Sequence, residues 1–377
     1  MQAIPLDSPQ PRWLALDWMR GFVIVLMTLD HASEVFNAGR LFTDAVFFYR
    51  PGMPLPWVQF LARWITHLCA PTFVFLAGTS LACSVEKRLK AGESRSSINR
   101  NIFVRGLLLA ALDPVWMSPV FTPGGLLFQI LYAIGVSFMC MIPLSRLSSR
   151  WLLGLSVGLM FFSEVLIGII SKMSANNPNL IWVFLLTGGQ FPGLIVGYPL
   201  LPWLAVMMIG WVFGRYLLKQ GSSASNVTRP LRLWGIASIV TFLLVRGANS
   251  YGNMLLFRET SSLVQWLHVS KYPPSLSFYS LELGIMAMLL SFAFASKQLT
   301  DHSPSRNLVL LGQTALFFYL LHAHLMDLAA RLLGVSHQRG LGESFIASIL
   351  TVAVLYPCCR LYRSYKTTHP RGWTRYI

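Results

Sequence analysis

Apolar residues dominate this chain in long runs, and short polar connections separate the runs. Ten runs are long enough to cross a bilayer as helices, each of which needs about 20 apolar residues. We therefore predict an all-α polytopic membrane protein that forms one integral-membrane domain over residues 1–377. The predicted spans are 13–36, 57–84, 101–119, 124–144, 150–170, 199–218, 231–248, 278–296, 307–333 and 343–363.

Three connections stand out from this pattern. Residues 180–186 are apolar but too short to span, and TGGQFPGLIVGYPLLP after them is rich in Gly and Pro. We expect an ordered loop or a re-entrant turn there. The longest connections, about 37–56 and 249–277, contain Pro, Gly and aromatic residues, which favour folded loops that cap a cavity.

Composition and charge agree with a membrane protein. Charged residues make up 12% of the 377 residues, about half the share typical of soluble proteins. The net charge of +16 would also suit a nucleic-acid-binding protein, but Lys and Arg gather in the connections between apolar runs. They are concentrated after even-numbered spans and in the C-terminal tail, so we predict both termini in the cytoplasm and no nucleic-acid partner. The five cysteines form no CxxC motif, and we predict no metal site.

The first predicted span carries charged residues that a membrane helix rarely tolerates. A charge at mid-bilayer costs about 2.5–3.5 kcal/mol on insertion scales, so such residues indicate a function or a partner. At 100° per residue one face of this helix is predicted to line a polar route through the membrane. An alternative for its inner end is a structural Asp17–Arg20 ion pair near the cytoplasmic interface. The residues on this face are Asp17, Arg20, Ile24, Met27 and His31.

Candidate acid–base residues fall in the outer halves of several spans. His31, His67 and His322 lie on three spans at comparable predicted depths, which favours a shared cavity, although a single membrane histidine more commonly serves packing. A histidine suits general-base chemistry, and a neighbouring polar group can orient it. We predict His67 or His31 as the base, oriented by Asp30, Asp113 or His322. The chain contains no Walker loop, GxGxxG or HExxH motif.

The segments LDWMRGFVIVLMTLDH and THLCAPTFVFLAGTSLA form the most specific pair in the sequence. They resemble bacterial membrane proteins related to heparan-alpha-glucosaminide N-acetyltransferase. The residues that match the family's motifs are Asp17, Arg20 and Gly21, then Pro71, Phe73, Phe75 and Gly78. YPLLPWLAVMMIGWVFG, KYPPSLSF, LGQTALFFYLLHAHL and YPCCRLYRSYKTTHPRGW extend the resemblance over nearly the whole chain. The family's catalytic histidine lies in the first outer loop, whereas residues 37–56 contain no histidine here.

The resemblance implies a transmembrane acyltransferase that moves an acetyl group from cytoplasmic acetyl-CoA to a sugar on the other side. Under this hypothesis Arg20 and the basic Lys87–Arg105 region, which includes Arg105, hold the phosphates of acetyl-CoA. Asp17, beside Arg20, is assigned to the same acetyl-CoA site. The acceptor would be a sugar or envelope glycan, and the setting a bacterial inner membrane, with a homodimer allowed. The alternative is a transporter or flippase, which predicts repeat-related halves with broken helices. A third hypothesis is a non-catalytic membrane scaffold that keeps the fold, which predicts a collapsed, apolar centre.

Overall fold

Helices make up most of the regular structure in the computed structural model, which describes residues 13–45, 47–173, 179–220, 225–296 and 303–369. Short 3-10 or π-helical turns at 66–68, 113–117 and 183–187 continue neighbouring helices. The helices of the described part are α1 (Leu14–Phe36), α2 (Trp57–Ile65), α3 (Cys69–Lys90), α4 (Arg95–Leu112), α5 (Ser118–Phe121), α6 (Ile130–Leu144), α7 (Ser149–Met173), α8 (Leu180–Trp182), α9 (Leu200–Gln220), α10 (Ser225–Ala248), α11 (Leu263–Leu267), α12 (Leu276–Ala295), α13 (Ser303–Gln313), α14 (Ala315–Leu333) and α15 (Leu341–Thr368).

All ten predicted spans coincide with helices, so the chain has the predicted all-α polytopic membrane fold. Within the described ranges, eight helical segments are long and apolar enough to cross a membrane. The two other predicted spans are α1, which has the length but carries charges, and α6, which has only 15 residues. The number of crossings and the cytoplasmic termini stay predictions, and residues 1–12 and 370–377 lie outside the described part.

Two predicted spans differ in detail from the structure. The span predicted at 124–144 becomes helical only at Ile130, because Gly124 adopts φ +80° and residues 126–128 join a sheet. The span predicted at 307–333 is divided at Thr314, whose side-chain hydroxyl donates to the Leu310 carbonyl at 3.1 Å. Sequence hydropathy does not register either interruption, because the mean hydropathy of each segment stays high across it.

A small three-stranded sheet occupies part of the segment predicted as an ordered loop. Strand β1 (Leu126–Phe128) pairs in parallel with β3 (Leu194–Val196), and β3 pairs antiparallel with β2 (Gly189–Phe191). Pro192 and Gly193 form the turn between β2 and β3, and Gly193 has φ +71°, which a glycine adopts without steric cost. The ordered-loop prediction is therefore correct, with a β-hairpin as its form.

Glycines allow two pairs of helices to touch through their backbones. A Cβ atom at Gly21 of α1 would lie 1.8 Å from the Leu308 carbonyl oxygen of α13, and one at Gly312 would lie 1.8 Å from the Asp17 carbonyl oxygen. Between α3 and α9, a Cβ atom at Gly78 would lie 2.2 Å from the Met207 carbonyl oxygen. Small residues at such contacts are typical of membrane helix packing. Any larger side chain at these positions would force the helices apart.

The two longest loops meet on one side of the molecule, which we call the outer side. The Lys271 amide donates to the Asp44 carbonyl at 2.8 Å, so the loop after α1 is joined to the loop after α10. Arg246 is fully buried and organises the second loop by donating to the carbonyls of Leu256, Gln265, Trp266 and His268 at 2.5–3.1 Å. The prediction of folded loops that cap a cavity is confirmed.

Candidate active site at the outer ends of the helices

A cavity of about 730 Å³ opens beneath the two outer loops. Its wall combines the outer end of α1, the first outer loop, the small sheet and the segment at Tyr272 and Pro273. The lining mixes aromatic side chains with polar groups, as is typical of small-molecule sites. Polar lining residues include Asp30, His31, Glu34, Arg40, Arg63, Gln129, Asn179, Gln190, Tyr198 and Tyr272, and aromatic ones include Phe42, Phe47, Phe48, Phe121, Trp182 and Phe191.

A pair of histidines lies at the edge of this cavity. His31 Nδ1 is 2.6 Å from His322 Nε2, and His322 Nδ1 is 2.7 Å from the Tyr319 carbonyl oxygen. Because a carbonyl oxygen can only accept, His322 Nδ1 carries its hydrogen and His322 Nε2 accepts from His31. His31 Nδ1 is then the donor, which leaves the lone pair on His31 Nε2. No hydrogen bond to His31 Nε2 occurs within the described part of the chain.

A network of buried charges lies next to this histidine pair. Arg63 Nη1 donates to both oxygens of Asp30 at 2.7 and 2.8 Å, and Arg63 Nη2 donates to Asp44 Oδ2 at 2.7 Å. Burial alone would raise the pKa of the Asp44 carboxyl, but Arg63 and the hydrogen bond from His67 hold that pKa well below its usual range. Asp44 is therefore ionised, and Arg40 Nη1, 3.1 Å from Asp30 Oδ1, adds a second positive charge at the cavity wall.

His67 does not lie at the cavity, where a general base would have to meet the acceptor. It is buried, it does not line the cavity, and its Nε2 donates to Asp44 Oδ2 at 3.1 Å. Its Nδ1 is also buried and has no hydrogen-bond partner in the described structure. His67 thus belongs to the charge network beneath the cavity wall, whereas His31 faces the cavity itself.

The Asp113 carboxylate accepts hydrogen bonds from backbone amides rather than from a histidine. Its Oδ2 accepts from the Gln129 and Tyr132 amides at 2.8 and 2.7 Å, at the junction between β1 and α6. The residue is fully buried and does not line the cavity, although Gln129 does. The structure therefore places Asp113 as a positioning residue for the cavity wall.

The residues predicted to hold acetyl-CoA lie toward the opposite end of α1. Arg20 Nη1 donates to Asp17 Oδ1 at 2.7 Å, and Nη2 donates to the Leu76 carbonyl at 3.2 Å and to the Ser80 hydroxyl. The Arg105 guanidinium lies 5.6 Å above the centre of the Phe138 ring. The predicted Asp17–Arg20 ion pair is thus present.

The polar route predicted along one face of α1 is interrupted in its middle. Ile24 and Met27, between Arg20 and His31, are buried in the apolar core, and neither lines the outer cavity. The predicted polar route is therefore closed over this stretch, because helical spacing identifies a face but not what packs against it. The two ends of α1 carry separate polar environments.

Sequence reasoning did not find several residues of the site. Asp44 and Gln129 were not predicted, although Asp44 bonds to Arg63 and Gln129 lines the cavity. Tyr198 and Tyr272 lie in segments that carried the family resemblance, and their hydroxyl oxygens are 3.3 Å apart. That resemblance was the one sequence signal for these two tyrosines. No group of three or more His, Cys, Asp or Glu residues suited to a metal ion occurs in the described ranges.

Comparison with known proteins identifies the family of this chain. A family model described as heparan-alpha-glucosaminide N-acetyltransferase, catalytic, matches residues 12–247. No curated protein matches the chain. The matched range contains His31, Asp44 and Arg63, whereas Tyr272 and His322 lie beyond it. Because the match covers more than half of the chain, the protein belongs to the heparan-alpha-glucosaminide N-acetyltransferase catalytic-domain family, whose members are membrane-bound acetyltransferases.

Proposed function

We propose that this protein transfers an acetyl group from acetyl-CoA to an amine or hydroxyl group of a sugar bound in the outer cavity, with His31 as the general base. The observation that carries this proposal is the His31–His322 hydrogen bond, which leaves the lone pair of His31 Nε2 beside the cavity. A neutral imidazole with a fixed tautomer is suited to take a proton from an attacking amine or hydroxyl.

The reaction makes one bond and breaks one. The acceptor nitrogen or oxygen attacks the thioester carbonyl carbon, and its proton passes to His31 Nε2. The carbon–sulfur bond then breaks, and the CoA thiolate leaves and takes up a proton. The carboxylate of Asp30, on the neighbouring residue, favours the positive charge that forms on His31, whereas the guanidinium groups of Arg40 and Arg63 that bind Asp30 oppose it. His322 keeps the Nδ1 hydrogen of His31 in place during this step.

The cavity lining fits a sugar. Amide and carboxylate groups of Glu34, Gln129 and Gln190 suit the hydroxyl or amino groups of a sugar, and aromatic faces such as that of Trp182 suit its apolar ring face. An amino group of the acceptor could share the Glu34 carboxylate with Arg40, which lies 3.3 Å from it, because the Glu34 side chain is 27% exposed. This chemistry supports a sugar without selecting between an amine and a hydroxyl acceptor.

We place the phosphates of acetyl-CoA near Arg20 and Arg105, at the other end of α1. The rise from residue 20 to residue 31 is about 16 Å, which an extended pantetheine arm can bridge. Along that path the arm would have to displace Met27 and Ile24 from their packing. Methionine is unbranched and adapts to such changes more readily than other core residues.

The experiment measures CoA release from acetyl-CoA by the purified protein in nanodiscs, with a panel of amino sugars and envelope glycans as acceptors. We expect acceptor-dependent release that falls about 10²–10⁴-fold in His31→Ala. The matched control is His324→Ala, two residues from His322 and absent from the cavity lining, which should keep near-normal turnover. Turnover of His31→Ala within tenfold of the unmodified protein would reject His31 as the base. No release, together with no acetyl-CoA binding, would reject acetyl transfer and favour transport.

A further inference from the structure

The side of the molecule opposite the outer loops carries arginines of two kinds. Arg88 donates to both oxygens of Glu93 at 2.5 and 2.6 Å, and Arg215 lies 3.4 Å from Glu86. Other arginines have exposed side chains and guanidinium groups with no protein acceptor within the described ranges. Three of these unpaired arginines are Arg95, Arg100 and Arg146.

The three unpaired arginines converge on one cleft. It has a volume of about 500 Å³ and lies between the Arg95 end of α4 and the end of α6, where Asn99, Phe103 and Ile142 complete its wall. Farther along the same two helices, a Cβ atom at Gly135 would lie 2.4 Å from the Gly106 carbonyl oxygen, so α4 and α6 are fixed against each other there. The cleft is therefore a concentrated positive site held by two packed helices.

The surroundings of this cleft favour a phospholipid over a soluble phosphate. The turns of α4 that continue from the cleft expose large apolar side chains: Phe103 is 50% exposed and Leu107 is 55% exposed. In a membrane helix such residues face acyl chains. Arg95 and Arg100 belong to the basic region predicted from the sequence to hold acetyl-CoA, but the cleft contains neither Arg20 nor Arg105, where we place the phosphates of acetyl-CoA. A positive cleft that continues into an apolar, lipid-facing surface matches a charged headgroup joined to acyl chains.

We propose that this cleft binds the phosphate of an anionic phospholipid headgroup. Arg95, Arg100 and Arg146 would surround the phosphate, since guanidinium groups pair with phosphate oxygens through two parallel hydrogen bonds. The acyl chains would follow Phe103 and Leu107. Lipid binding at this site is measured without acetyl-CoA, so its failure can be distinguished from a failure of acetyl transfer.

The test counts bound lipids on the full-length protein by native mass spectrometry in detergent, during titration with phosphatidylglycerol or phosphatidylcholine of identical acyl chains. Each arginine near a membrane surface contributes about 1 kcal/mol, which is about fivefold in affinity. We therefore expect about fivefold weaker phosphatidylglycerol retention in Arg100→Gln and roughly a hundredfold weaker retention when all three arginines are replaced. The matched control is Arg232→Gln, an exposed arginine of α10 outside the cleft, which should retain phosphatidylglycerol normally.

Two further readouts make the result decisive. The unfolding midpoint of each variant is measured alongside, because the replaced side chains are exposed and folding should be unchanged. Equal retention of the two lipids by the unmodified protein would overturn the proposal, as would equal losses in Arg100→Gln and Arg232→Gln. Displacement of phosphatidylglycerol by adenosine 3′,5′-bisphosphate at equal concentration would identify a soluble phosphate as the ligand and would also overturn it.

Discussion

Replacement of Arg63 by methionine tests the buried charge network directly. The Arg63 side chain is 9% exposed and contacts Asp30 and Asp44 at 2.7 Å each. Asp30 keeps a second guanidinium, that of Arg40 at 3.1 Å, so most of the cost falls on Asp44. Removal of one partner from a buried ion pair leaves an uncompensated charge and costs about 3–5 kcal/mol. We expect Arg63→Met to lose that much of its free energy of unfolding.

The assay is reversible unfolding in mixed micelles, followed by the fluorescence of the twelve tryptophans. The matched control is Arg331→Met, because Arg331 lies 2.8 Å from Asp327 but its side chain is 57% exposed, and exposed pairs contribute only about 0–1 kcal/mol. Adding Asp44→Asn to Arg63→Met removes both charges, so the double variant should be less destabilised than the sum of the single variants, by up to about 3 kcal/mol. Strict additivity, or equal losses in Arg63→Met and Arg331→Met, would refute this reasoning.

Three further predictions concern the same outer region. His322→Phe should lower the turnover of acetyl transfer by less than the 10²–10⁴-fold expected for loss of the base, with little change in KM. The reason is that the substitution removes only the group that orients His31. An unchanged turnover would argue against that role. Arg246→Lys should lower the free energy of unfolding by about 3 kcal/mol or more, because lysine has three donors for the five acceptors that Arg246 bonds. Limited proteolysis at residues 249–262 should then become faster. The difference in free energy of unfolding between the unmodified protein and Asp44→Asn should be constant from pH 5 to 9 and shrink below about pH 4. The reason is that a carboxyl whose pKa is lowered by folding stabilises the protein fully only above its unfolded-state pKa of about 3.9. A difference that already shrinks between pH 8 and 6 would contradict this assignment.

The sequence predicted the architecture well because membrane spans are recorded in hydropathy, one segment at a time. The interruptions at Gly124 and Thr314 escaped prediction because neither lowers the mean hydropathy of its segment enough to end a predicted span. The π-helical turns at 113–117 and 183–187 have no hydropathy signature for the same reason. Local patterns thus located the helices but not their irregular ends.

The arrangement of the site was harder to predict, because it depends on how helices are rotated against one another. Equal predicted depth grouped His31, His67 and His322, but only His31 and His322 are in contact. His67 lies on the short 3-10 turn between α2 and α3, which directs it toward Asp44. Asp44 itself lies in an irregular loop, where no periodicity indicates what a side chain faces.

The glycine contacts bear on how the molecule could open for a donor. Because Gly21 and Gly312 bring the backbones of α1 and α13 together, and Gly78 does the same for α3 and α9, each pair can move only as a rigid unit. Motion between the two units would involve side chains such as Ile24, Met27 and Leu76, which belong to the same apolar core, and the hydrogen bond from Arg20 to the Leu76 carbonyl. Access to the membrane centre would therefore require the two helix pairs to move apart as rigid bodies, with a hinge outside the helices rather than a bend within them.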